Sequence, residues 1–152
     1  MDAVARQQSE FIPFGVAVGV VILWAVVSYI VSFAGGWWKL AQRYRSERPL
    51  PAHRRAMQKG QMRFGSRYKS VLTLASDSEG IYLGVMYLFR PGHPPLFVPW
   101  TEVEVEAPKR SLFTTTQVLR LGRDRIPLKL RESLVDFLLA GKADPGPGLS
   151  AG

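Results

Sequence analysis

FIPFGVAVGVVILWAVVSYIVSFA, residues 11–34, runs for 24 residues without a charged side chain. As a helix it reaches about 36 Å at 1.5 Å per residue, enough to cross a hydrocarbon core of about 30 Å with some tilt. The run predicts a transmembrane helix over 11–34, and the rest of the chain is organised from it. Ahead lies a polar leader, residues 1–10. Its MDAVARQQSE carries two acids and one arginine, whereas a secretory leader begins basic. The span is therefore expected to stay as an anchor rather than be cleaved.

Charge is uneven around this stretch. The 152 residues hold 20 Lys and Arg against 12 Asp and Glu. Ten of the basic residues, with Glu47 as the one acid among them, fall between Lys39 and Lys69, while residues 71–141 hold eight of each sign. Basic side chains crowd one flank of the span and are nearly absent from the other. This predicts an N-terminus outside and a C-terminal domain in the cytoplasm. The basic run is expected to meet anionic lipid headgroups. A nucleic-acid patch would need interleaved aromatics; Tyr44, Phe64 and Tyr68 are too sparse, so no nucleic-acid partner is expected. With no cysteine, a disulfide framework, a thiol nucleophile and a cysteine-ligated metal are excluded.

Within the span, Gly15 and Gly19 form a GxxxG pair, the spacing through which two helices approach closely; it would serve a homodimer or a protein partner. After it, Trp37 and Trp38 are expected in the aromatic belt at the membrane–water interface, with Lys39, Arg43 and Arg45 reaching the headgroups. Residues 35–57 read as a basic juxtamembrane helix, continuous with the span through Arg45, and then a linker. Pro49 and Pro51 stop the helix.

One small domain is expected over 58–142. Short candidate strands fall at 61–64, 70–75, 81–89, 96–100, 101–107, 112–121 and 125–129. Residues 81–89, IYLGVMYLF, are apolar on both faces, so both are expected to be covered. TEVEVEA, 101–107, alternates as a half-exposed strand does. From Leu130 the period changes: Leu130, Leu134, Phe137, Leu138 and Gly141 make one stripe of an amphipathic helix. Residues 143–152 read as a disordered tail. The expected fold class is α+β: one transmembrane helix, then a small antiparallel β-barrel or sandwich closed by a C-terminal helix.

Three blocks carry a resemblance: GWWKLAQRYR at 36–45, SEGIYL at 78–83 and FRPGHPPLFVPW at 89–100. Together they resemble a family of small, uncharacterised bacterial one-pass membrane proteins whose soluble part is similar to a pleckstrin-homology (PH) or GRAM-like domain. The resemblance implies a PH-like barrel on the cytoplasmic face of the bacterial inner membrane, and architecture rather than a reaction. The chain departs from phosphoinositide-binding relatives, for which Arg63, Arg67 and Lys69 are only a loose substitute.

No catalytic, metal or cofactor site is expected. Glu102, Glu104 and Glu106 share one strand face about 7 Å apart, but alternate with valines as a solvated face does. His53 and His93 lack metal-ligand spacing. Arg90, His93, Phe97 and Trp100 are the candidates for meeting a partner. The expected role is a membrane-anchored, non-catalytic adaptor contacting protein or anionic lipid. The alternative is an accessory subunit of a larger membrane complex assembled through the span.

Overall fold

The computed structural model describes residues 2–63 and 67–143, with side-chain exposure from residue 13 onward. Residues 64–66, which include the end of one expected strand, and the expected tail beyond Ala143 lie outside the described residues.

Helix α1, Asp2–Gly35, takes in the polar leader as well as the apolar run. Its segment Pro13–Gly35, 23 residues with mean hydropathy 2.5, is long and apolar enough to cross a membrane. The helix does not continue to Arg45 as expected. Gly36 adopts φ 83°, in the left-handed region. Glycine alone enters that region without penalty, and the chain turns a corner there. Helix α2, Trp37–Tyr44, then sets off in a new direction.

Eight strands follow, one more than expected: β1 Arg54–Gln61, β2 Arg67–Ser76, β3 Gly80–Val85, β4 Leu96–Pro99, β5 Val103–Val105, β6 Lys109–Arg110, β7 Thr115–Leu121 and β8 Ile126–Arg131. All pair antiparallel, in the order β4-β3-β2-β1-β8-β7-β5, with β6 on β7. The sheet curls into a nearly closed barrel. β1 is its hinge. Its register against β2 shifts between Arg55 and Gln58 and again before Gly60, and Met57 there has φ 55°. Such bulges bend a strand, and the end of β1 crosses to pair with β8 at Lys129. The sheet thus begins at Arg54, ahead of the expected boundary at 58. β3 stops at Val85, and the rest of its apolar run forms a 3-10 turn, Tyr87–Phe89.

Two helices cork the barrel. α2 lies across the end where β2 begins and β7 turns into β8. Trp37 packs on Tyr68 at 5.9 Å between ring centres, Gly36 abuts Ile126, and Tyr44 abuts Gly122. Helix α3, Glu132–Ala143, covers the other end, where β1 begins and β2 finishes. There the Ser76 hydroxyl donates to the Leu138 carbonyl at 2.8 Å, and Phe137 stacks on His53 at 4.0 Å. Of the expected stripe, Leu134, Leu138 and Gly141 are buried, with Val135 beside them, and Phe137 is half-buried; Leu130 does not open the helix but is still paired in β8. Trp37 and Leu40 join Leu72, Leu74, Ile81, Leu83, Leu119 and Leu128 in one core.

Candidate membrane-surface site

The barrel is not simply strung behind α1; it docks on the helix's last three turns. The loop 90–95 follows a face of α1 marked by two serines. The Ser28 hydroxyl donates to the Pro91 carbonyl at 2.8 Å, and that of Ser32 to the Gly92 carbonyl. Around the corner, the Trp37 indole donates to the Pro94 carbonyl at 3.0 Å. Trp24 meets Phe89 two turns deeper, at 6.0 Å between ring centres. Gly92, with φ 76°, lets the loop pass against Tyr29, where a Cβ would stand 2.9 Å from the ring and 3.2 Å from Tyr29 Cα.

His93 locks this junction from beneath. It is buried, with its ring edge against Trp37 at 5.3 Å. Its Nδ1–H donates to the Pro91 carbonyl at 3.3 Å, and its Nε2 accepts from the Tyr68 hydroxyl at 3.1 Å. The Pro91 carbonyl can only accept, which puts a hydrogen on Nδ1, and with the ring neutral Nε2 is left to accept from Tyr68. Burial lowers the His93 pKa, against backbone hydrogen bonds that raise it. Burial also pushes the Tyr68 phenol well above its usual range.

Two hollows adjoin this junction. One, of about 310 Å³, lies between α1 and β2, lined by Trp24, Val27, Val31, Val71, Phe89 and, at its rim, Arg67 and Lys69. The second shares Arg67, Tyr68 and Lys69 and adds Lys59, Lys129 and Arg131. Among the described residues, no carboxylate lines either. Four of the domain's eight acids are ion-paired elsewhere: Glu79 pairs with Arg48, Glu102 with Arg123, Glu104 with Arg125 and Glu106 with Arg120. The charge of the barrel is therefore sorted, with an ion-paired face around β5 and β7 and an unbalanced basic face on β1, β2 and β8.

The structure redistributes the residues singled out by sequence. Trp37 is fully buried in the barrel, so it is not an interfacial belt residue; the Gly36 corner turns it inward. Trp38, Lys39, Arg43 and Arg45 remain exposed. The four partner candidates do not converge. His93 is consumed by Tyr68 and Pro91. The Trp100 indole donates to the Asp77 carbonyl at 2.7 Å, at the β2–β3 turn. Phe97 packs on Tyr82 at 4.8 Å under Arg48. Only Arg90 is exposed, above Tyr87. The three glutamates of 101–107 pair with arginines, and Glu102 and Glu104 line, with Arg120, Arg123 and Arg125, an open hollow of about 290 Å³. Glu102 is held below its usual pKa above all by the Tyr44 hydroxyl; burial opposes this, and Arg123 adds to the lowering. Gly15 and Gly19 have open space where a Cβ would sit. Gly19 lies nine residues, or two and a half turns, before Ser28, so the glycine face is opposite the docked one.

Sequence reading missed Ser28, Ser32 and Gly92. The signal was available: two hydroxyls four residues apart share one helix face, and polar groups inside an apolar span face a protein partner rather than lipid. Comparison of the chain with protein-family models, with curated proteins and with solved structures finds no match.

Proposed function

We propose that the protein is a membrane-anchored, non-catalytic binding module whose barrel is held against the cytoplasmic surface of a bacterial inner membrane to engage anionic headgroups. The observation that carries this reading is the docking of the barrel on α1. If residues 11–30 occupy about 30 Å of hydrocarbon, Ser28 and Ser32 sit at its boundary. The loop they bind, and the basic face beside it, then meet the headgroups. Near such a surface each basic residue contributes about 1 kcal/mol. The basic flank after the span supports the N-outside orientation. The antiparallel strand order and the C-terminal helix support a PH-like reading of the barrel. α2 fills one of its mouths, so the ligand surface of this module is its outer wall.

The test is hydrogen exchange on the full chain in nanodiscs of phosphatidylcholine, with or without phosphatidylglycerol. Anionic lipid should slow exchange in β1, β2 and β8, and added salt should reverse the effect. Identical exchange in the two lipids would remove the headgroup reading. A second reading, an accessory subunit assembled through α1, is favoured by the open glycine face opposite the docked one. Substituting Leu at Gly15 and Gly19 should then release a stoichiometric partner in mild detergent while leaving the barrel folded.

A further inference from the structure

We infer that the hollow between α1 and β2 is a seat for one anionic phospholipid of the surrounding bilayer. Its phosphate would lie between Arg67 and Lys69, and one acyl chain along Trp24, Val27 and Val31. This rests on the membrane reading above and adds a defined site to it.

The chemistry of the lining selects the occupant. Trp24, Val27, Val31, Val71 and Phe89 offer an apolar floor. The polar side chains that reach it are already engaged: Ser28 donates to Pro91, and Tyr68 to His93. A peptide backbone laid here would leave its N–H and C=O groups unpaired, which is costly. A hydrocarbon chain needs no such partners. At the rim, Arg67 and Lys69 are two residues apart on β2, so both project outward about 7 Å apart. Both are exposed, and neither makes an ion pair among the described residues. Lys59, Lys129 and Arg131 in the adjoining hollow deepen the positive potential without a compensating acid. An apolar floor on a helix that enters the bilayer, bounded by two cations, matches a lipid with a negative headgroup.

The experiment uses the full chain in phosphatidylcholine nanodiscs containing phosphatidylglycerol with a diazirine on one acyl chain. Adducts are mapped by peptide mass spectrometry after illumination. Labelling should concentrate in residues 24–31 and 67–71. The double variant Arg67→Glu, Lys69→Glu, or Val27→Trp, which fills the floor, should each lower it at least threefold. Arg54→Glu, at the far end of β1, should not. Labelling spread evenly along α1, or unmoved by the double variant, overturns the site, as does equal labelling by a diazirine phosphatidylcholine. A chain that does not enter the discs at all refutes the membrane reading itself, so the two failures are distinguishable.

Discussion

Replacing Gly92 with alanine tests whether barrel and helix form one body. Gly92 has φ 76°, and its missing Cβ faces Tyr29 at 2.9 Å from the ring and 3.2 Å from Cα. A side chain in the left-handed region costs about 1–2 kcal/mol. The Tyr29 ring can rotate, but its Cα belongs to a helix backbone and cannot retreat alone. The loop must lift, and lifting breaks the hydrogen bonds from Ser28 and Ser32. At about 1 kcal/mol each, these bring the total to about 3–4 kcal/mol, or a shift of roughly 150- to 1,000-fold in the docking equilibrium. The chain has no cysteine, so a spin-label pair at Val21→Cys and Tyr87→Cys, both exposed, reads the junction cleanly. A narrow distance distribution in the parent should broaden and lengthen in Gly92→Ala. Gly92→Asn, which tolerates the left-handed region but keeps the clash, should fall between. If Gly92→Ala leaves the distribution unchanged and costs under about 1 kcal/mol, the loop is not packed on α1 and the docking geometry is wrong.

Other consequences are independent of the lipid. A fragment of residues 36–143 should fold, whereas 58–142 should not, because the shorter piece lacks Trp37, Leu40 and the pairing of Arg54 with Ala75; near-ultraviolet circular dichroism distinguishes them. Loss of Trp37 alone should cost about 3–5 kcal/mol. Gly141→Ala should destabilise thermal unfolding by about 1–3 kcal/mol although alanine is the better helix former, since its Cβ would stand 2.9 Å from the Ser76 carbonyl oxygen; a neutral or stabilising result would mean α3 does not seat there. The His93 pKa is lower folded than unfolded, so the unfolded state binds the extra proton. The stability this neutral ring contributes is complete above about pH 6.5 and is lost as pH falls through the depressed folded value. The stability gap between the parent and His93→Asn should therefore narrow on acidification, and a constant gap would contradict the buried neutral ring.

What could be read from sequence was what local pattern encodes. The uncharged run declared α1, and the stripe of Leu130, Leu134, Phe137, Leu138 and Gly141 declared α3, although it claimed Leu130 for a helix that starts at Glu132. β1 escaped because RRAMQKGQ has no alternation of apolar residues; its residues are mostly exposed, and pairing with β2 and β8 makes it a strand. Such non-local pairing leaves no trace in composition. Trp37 was misread for a different reason. Two tryptophans and a lysine after an apolar run look the same whether the chain continues straight into headgroups or turns back. Only the φ of Gly36 separates the cases, and Gly35-Gly36 was the one hint of a corner. Likewise Met86, Tyr87 and Leu88 continue the apolar run of β3, yet they leave the sheet and lie exposed beside the loop that binds α1.

The corner and the docked loop together change what the apolar helix does. A flexible tether would leave the barrel free to present any face to the membrane. Here Trp37 and Leu40 anchor α2 inside the barrel a residue or a turn beyond the corner, while Ser28 and Ser32 hold the loop 90–95 from the other side. Rotating the barrel about α1 would break both attachments at once. The face bearing Arg67 and Lys69 is therefore fixed relative to the helix, and Gly15 and Gly19 are fixed on its opposite side. A bilayer contact on one face and a helix contact on the other do not compete for surface. On the proposed membrane reading, the anchor would then serve as an orienting element: the same α1 that sets the depth of the barrel would also set which of its charges meet the lipid.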